Sequence, residues 1–327
     1  MWRDIFRLLR NFILIVLPLF AALSIYCACF PMWYIDEEYA FFRQQKDYVT
    51  ENADYNQTVI IGDSRTMAGF VPEELSDGCY NLALGGTTPI EGYYTLKEYL
   101  EYHPAPEYVV VAYAPMHYMD VDALWTRNIY FHVMNPEDTK ELFAIAATCE
   151  SNENILIEDY PLEYLMYQFY MPNKYCTALK NSGFVFRHEA NVEKYELMET
   201  TRGQNYFGLA DGSADVNGEA KKADFIASDV VTLYMQKLFD LCKEQGITVV
   251  VEQLPMNETS RNILTDDFKL HYRQYMSELA AANPEVQMYG DFYMYPNDFF
   301  GDADHLNPLG AAEYCLYMKQ RYPEIFP

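Results

Sequence analysis

"TVIIGDSRTMAGF", residues 58–70, begins as a run of β-branched residues and ends in small and polar ones. Thr58 to Ile61 has the composition of a buried strand. Gly62-Asp63-Ser64 then turns the chain and leaves Arg65 beside the serine. A tight turn after a strand needs small residues and nothing more. A nucleophile displayed at the carboxyl edge of a sheet needs the same residues, and the rest of the chain has to decide between the two.

Downstream, "CYNLAL" (79–84) reads as a second strand, followed by the glycine loop "GGTTP" (85–89). "IEGYYTLKEYLEY" (90–102) has helical spacing, and "EYVVVAYAP" (107–115) is a continuous apolar run, the pattern of a strand buried on both faces. From about residue 116 to 222 the regularity fades into aromatic, glycine-dotted chain with helical patches such as "EDTKELFAIAATCE" (137–150). This region reads as an insertion or cap over the sheet. Order then returns with a helix over 224–246, a strand over 247–255, a helix over 262–283 and a short strand over 286–291. A final helix runs over 307–322, with Asn307 as its N-cap and Pro308 at its first position. Such alternation predicts an α/β fold, a mostly parallel sheet with helices on both faces. Sheets of this kind bind ligands outside the carboxyl ends of their strands. Ser64 lies at such an end.

The N-terminus bears on the compartment. "MWRDIFRLLR" carries Arg3, Arg7 and Arg10, and the next 20 residues, Asn11 to Phe30, carry no charge. At about 1.5 Å per residue, roughly 20 residues span the ~30 Å hydrocarbon core of a bilayer. Acidic Asp36, Glu37 and Glu38 follow, so the positive-inside rule places residues 1–10 in the cytoplasm and the chain beyond about residue 32 outside. A cleaved signal peptide is the competing reading, but the run exceeds the usual apolar length and no clean small-residue cleavage site ends it. The expected division is a cytoplasmic terminus and transmembrane anchor over 1–31, a polar juxtamembrane helix over 32–56, and one large domain over 57–327.

The net charge of −25 excludes a nucleic-acid partner, since a phosphate backbone demands a basic face. Half the residues are hydrophobic and 22% are charged, a balance that supports a packed core rather than disorder. Thirty tyrosines suit polar-tipped core packing, with a carbohydrate-lining surface as the other use. Five of the seven cysteines lie beyond the apolar segment, an odd number whose spacings fit neither a disulfide module nor a zinc site. Buried free thiols are expected, with Cys149 and Cys176 the one pairing to check. No HExxH, Walker loop or GxGxxG occurs, and His103, His117, His132, His188 and His271 lack ligand spacing. Neither a metal nor a cofactor is implied.

The second informative stretch is "DFFGDADHLNPLGAAEYC" (298–315). Asp302 and His305 stand three apart in a loop directly before the last helix, so the carboxylate can fold back and hold one ring nitrogen while the other faces outward as a base. The ordinary alternative is a turn shaped by Asp302 and Asp304, with His305 satisfied in the helix-start network.

"GDSR" after a first strand, a glycine loop after a second, and Asp-x-x-His before a C-terminal helix form an ordered set. Here the chain resembles the SGNH/GDSL hydrolase superfamily, and more closely its membrane-anchored extracytoplasmic branch of DltD-like and AlgX/AlgJ-like proteins. The resemblance covers about 57–115 and 240–325 and leaves 116–222 unmatched. It implies a three-layer α/β/α sandwich, with Ser64 as nucleophile, His305 as general base and Asp302 as its orienting partner. In "NLALGGTT", Gly86 falls where the family places a glycine whose N–H helps form the oxyanion hole. The family's Gly-x-Asn-Asp block is absent, for "VVVAYAP" is followed by Met116, His117 and Tyr118. The oxyanion donor that block supplies is therefore unassigned. Three residues are candidates, each with a plainer role: the Arg65 side chain (pairing with a carboxylate), His117 (a polar pocket residue) and Asn257 (capping the next turn).

The resemblance implies a tethered extracytoplasmic serine O-acyltransferase or esterase. Its substrate would be an acylated surface polysaccharide or teichoic-acid-like polymer, and it would work beside a polytopic membrane O-acyltransferase. Two alternatives stay open. One is a catalytically weak glycan-binding partner in a surface-polymer assembly; the other is a plain secreted lipase, which the anchor disfavours.

Overall fold

The computed structural model describes residues 2–50, 55–152 and 154–327. Helices α1 (Trp2–Cys29), α2 (Pro31–Tyr34) and α3 (Glu37–Thr50) come first. They lead into β1 (Thr58–Gly62), α4 (Ser64–Gly69), α5 (Pro72–Leu75), β2 (Cys79–Asn81), α6 (Pro89–Tyr102) and β3 (Tyr108–Ala112). Then come α7 (Pro136–Ala146), α8 (Tyr160–Gln168), α9 (Pro172–Asn181), α10 (His188–Thr200) and α11 (Asp229–Glu244). The chain finishes through β4 (Thr248–Glu252), β5 (Met256–Asn257), α12 (Glu258–Ile263), α13 (Asp266–Ala282), β6 (Gln287–Met288), β7 (Met294–Tyr295) and α14 (Pro308–Arg321).

The fold is mixed α/β around a five-stranded sheet of order β2-β1-β3-β4-β6, every pair parallel. In β1, Val59 and Ile61 join Val109, Val111, Val249 and Val251 in one apolar cluster with residues of α6, α11 and α13. Ile60, Val110 and Val250 turn the other way, onto Phe70, Leu75 and Ala311, Tyr314 and Met318 of α14. Because helical residues cover both sets, the strands read as unbroken apolar runs instead of alternating ones. Tyr99, Tyr113, Tyr118, Tyr234, Tyr272 and Tyr314 are among the fully buried side chains, so much of the tyrosine content is core packing. All seven cysteines are free thiols, Cys149 and Cys176 included.

The chain leaves β1 for β2 on one side, then returns to the other side of β1 to lay down β3. Order reverses there, so the crevice such sheets use for ligands opens at the carboxyl ends of β1 and β3. Register places Gly62 opposite Ala112 at that end.

Some elements differ from expectation. The helix expected over 262–283 is two: it breaks at Leu264, and Thr265 starts α13 afresh by accepting the N–H of Phe268 at 3.1 Å. The strand expected over 286–291 is only Gln287–Met288, at the edge of the sheet. The 116–222 region is more helical than its pattern; α8, for one, has no fully buried residue and packs on the core only through the partly buried Tyr160, Tyr164 and Tyr167. The expected juxtamembrane helix ends at Thr50, and residues 51–54 lie outside the described residues. At the N-terminus α1 begins at Trp2, so the basic segment is helical as well. This helix is long and apolar enough to cross a membrane, features a signal sequence shares.

Candidate active site

The bend that ends β1 follows from close packing. A methyl group on Gly62 would lie 2.1 Å from the carbonyl oxygen of Ala112 and 2.4 Å from Oγ1 of Thr66, so only glycine fits between the two strand ends. Asp63, fully buried, caps α4: its Oδ1 accepts the N–H groups of Arg65 at 2.8 Å and Thr66 at 3.3 Å. Its Oδ2 accepts the N–H of Ala114 at 2.6 Å. One carboxylate therefore ties the exits of β1 and β3 together and fixes Ser64 at the rim of the sheet.

The histidine loop closes over that rim. Phe300 bridges to Leu306, and the N–H of Gly301 meets the carbonyl of His305 at 3.0 Å, making a tight loop of the residues between. Oδ1 of Asp302 accepts the N–H groups of Asp304 and His305, each at 2.8 Å, while Oδ2 lies 2.8 Å from Nδ1 of His305. The other ring nitrogen, Nε2, is 2.8 Å from Oγ of Ser64. A carboxylate on Nδ1 selects the tautomer with the proton there, leaving Nε2 free to accept the serine proton. Burial opposes the charge on Asp302, but the hydrogen bond and charge of His305 and the two backbone donors outweigh it and bring its pKa to about 2.

Around Ser64, no carbonyl or side chain among the described residues accepts the N–H of Ser64, Gly85 or Gly86. Gly85 is the glycine whose open side faces the serine: a methyl group there would stand 3.9 Å from Cβ of Ser64. Gly86, the residue expected from the sequence, has a positive φ of 70° and turns instead toward Arg127, whose Nη1 would be 3.1 Å from a Cβ at that position. The loop ends in a capping box at the start of α6, where Thr88 and buried Glu91 satisfy each other.

Of the remaining candidates, Arg65 is buried with Nη2 on Glu219, at 2.7 Å, and on Asp304. Its Nη2 takes the pairing role. Asn257 caps α12 through Ser260 N–H at 2.7 Å. Its two amide hydrogens go to the carbonyls of Asp215 at 2.9 Å and Ala303 at 3.0 Å. It braces the histidine loop and has no hydrogen left for an oxyanion. His117 is buried with Nε2 3.5 Å from Oδ2 of Asp63, on the turn rather than on the serine.

Sequence reasoning missed what the 116–222 region contributes. Phe207 stacks obliquely on the His305 ring, 4.6 Å between centroids. Glu219 supplies the carboxylate for Arg65, Gly208 packs on Gly301, and Arg127 is held by Glu38 of α3. None of these lies in a local pattern; only the glycine pairing and the acid–base complementarity hint at them.

No known family profile matches the chain, and no curated protein matches it. Among solved structures, one from Streptococcus pneumonia that is named for platelet activating factor is similar over 88% of this chain and 94% of that one, with 12% identity and a TM-score of 0.37.

Proposed function

We propose that this chain is a membrane-tethered extracytoplasmic serine O-acyltransferase or esterase of SGNH type, with a three-layer catalytic domain over 57–327. It would act on acyl groups of a surface glycan or teichoic-acid-like polymer. The observation that carries this reading is the relay at the carboxyl end of β1, from Ser64 Oγ to His305 Nε2 at 2.8 Å and from Nδ1 to Asp302 at 2.8 Å.

A serine hydroxyl is a weak nucleophile until a base takes its proton. In the proposed cycle His305 removes that proton as Oγ bonds to the acyl carbonyl carbon. Asp302 stabilises the imidazolium. The unpartnered N–H groups of Ser64 and of the Gly85–Gly86 loop meet the oxyanion, and Arg127 beside Gly86 stands in for the missing asparagine donor. Collapse expels the alkoxide, which takes the proton from His305 and leaves an acyl-serine. A sugar hydroxyl or water, deprotonated by His305, then attacks the acyl carbonyl carbon; the bond to Ser64 Oγ breaks and the serine takes the proton back from His305. A tether at α1 would keep the site close to acyl groups delivered across the membrane by a polytopic O-acyltransferase.

The second reading, a catalytically weak glycan-binding partner, is favoured by the full commitment of Asn257 to capping and bracing. One experiment separates the two: full-length protein in detergent is treated with a fluorophosphonate probe. Labelling of wild type that vanishes in Ser64→Ala and falls in His305→Ala supports catalysis. Labelling that persists without Ser64 removes the assignment, and no labelling of folded wild type transfers it to the binding partner.

A further inference from the structure

We propose that Gly183–Arg187 is a membrane-dipping tip whose side chains Phe184, Val185 and Phe186 enter the headgroup–acyl boundary of the leaflet where α1 ends. The proposal rests on α1 lying in a bilayer and not on the chemistry of Ser64.

The tip is built to project. After α9, Gly183 and Phe184 both adopt positive φ, 54° and 73°, a left-handed pair that throws the next residues outward. Ser182 braces the turn, its Oγ accepting the N–H of Phe184 at 3.2 Å. The result leaves Phe186 82% exposed, Phe184 46% and Val185 40%. Three consecutive apolar side chains held in water gain only where the surroundings are apolar.

Its position identifies those surroundings. Tyr26 of α1 donates its hydroxyl to the carbonyl of Phe184, and the two rings meet edge-on at 6.1 Å. The N–H of Arg187 reaches the carbonyl of Trp33 at 3.2 Å, and the Trp33 and His188 rings lie 4.9 Å apart. Tyr26 comes four residues before Phe30, the last of the uncharged run, so it sits about 6 Å inside the apolar end of the helix. That is the depth at which interfacial side chains settle, roughly 5–10 Å. Whatever surrounds α1 at Tyr26 surrounds Phe184 as well. Lys180 and Arg187 bracket the tip, where cations remain in the headgroup layer, and Trp33, 37% exposed, supplies the aromatic anchor usual at that level.

A second membrane contact has a geometric effect. α10 starts at His188, immediately after the tip, and the chain beyond it carries Phe207 onto the His305 ring. With α1 alone the folded part would swivel; with the tip seated, one orientation of Ser64 toward the bilayer is held.

The test compares wild type with Phe186→Trp, full-length, in phosphatidylcholine nanodiscs, following tryptophan quenching by lipids spin-labelled high on the acyl chain and by aqueous acrylamide. Trp2 and Trp33 in wild type report insertion of α1 independently, and the Trp125 emission is common to both proteins. The expected result is a blue-shifted extra emission, quenched by the labelled lipid and shielded at least threefold from acrylamide. Extra emission quenched by acrylamide and untouched by labelled lipid, with wild type still lipid-quenched, overturns the tip and leaves the face to water or a protein partner. Absence of lipid quenching in both proteins overturns the placement of α1 and the tip with it.

Discussion

Gly208 and Gly301 meet backbone to backbone. A methyl group on Gly301 would lie 2.1 Å from the carbonyl oxygen of Gly208, and one on Gly208 would lie 2.4 Å from the carbonyl carbon of Gly301. This contact seats the loop that carries Asp302 and His305 against the 116–222 region, and neither backbone can yield without moving the histidine.

Gly208→Ala is therefore expected to displace the loop. Overpacking of this kind costs about 1–3 kcal/mol, a melting shift of a few degrees, while the fluorophosphonate labelling rate falls by about tenfold or more. Labelling unchanged alongside a lowered melting temperature would show that the loop position tolerates the strain.

Asp302 gives a pH signature. Its folded pKa of about 2 lies below the unfolded carboxylate value of about 3.9, so the ionised form is favoured by folding. Its contribution to stability is complete above the unfolded value and is lost as pH falls through the folded one. The melting temperature of wild type is expected to exceed that of Asp302→Asn at pH 5–6, with the gap closing between about pH 4 and pH 2. A gap that stays constant down to pH 2 would contradict the assigned ionisation.

Ser64 and His305 are expected to act as one unit. On a chromogenic ester, Ser64→Ala and His305→Ala should each reduce kcat by about 10³-fold or more, and the double variant should be no slower than the worse single. Multiplicative losses would mean that the 2.8 Å contact is not used in turnover.

Glu219 tests the buried ion pair. Arg65 and Glu219 have side chains 5% and 0% exposed, and removing one partner of such a pair leaves an uncompensated charge at a cost of about 3–5 kcal/mol. Glu219→Ala should unfold at markedly lower denaturant; a shift under about 1 kcal/mol would show that Asp304 alone satisfies Arg65.

Arg127 separates rate from stability. Its pair with Glu38 is partly open to solvent, the two side chains 23% and 36% exposed, so Arg127→Gln should lower the melting temperature by only a small amount. If its guanidinium meets the oxyanion, kcat drops by about 10²-fold with KM nearly constant. A rise in KM alone would make it a substrate-binding group instead.

The strands and the relay residues were legible because each belongs to a short local pattern. Val109 to Val111 announce a doubly buried strand, and Ser64, Asp302 and His305 each sit in a motif fixed by turn geometry. The sheet order then does the joining, since a parallel strand sequence brings every carboxyl end to one rim. Phe207, Glu219 and Arg127 leave no such trace, because they come from a region without periodicity and act through contacts far apart along the chain. Gly85 and Gly86 mark the limit within a motif: adjacent and chemically identical, they differ only in the φ that turns Gly86 toward Arg127.

Helix α3 carries a practical consequence. Tyr39, Phe41, Phe42, Gln44, Gln45 and Val49 are buried in the body of the molecule, Gln44 donates to the hydroxyl of Tyr80 at 3.1 Å, and Glu38 holds Arg127 beside Gly86. Trimming the first 56 residues to obtain a soluble preparation would remove α3 from the apolar cluster it shares with Met67, Ala83 and Leu84 and bare that surface to water. Absence of labelling in such a truncated preparation would report the surgery, not the chemistry of Ser64.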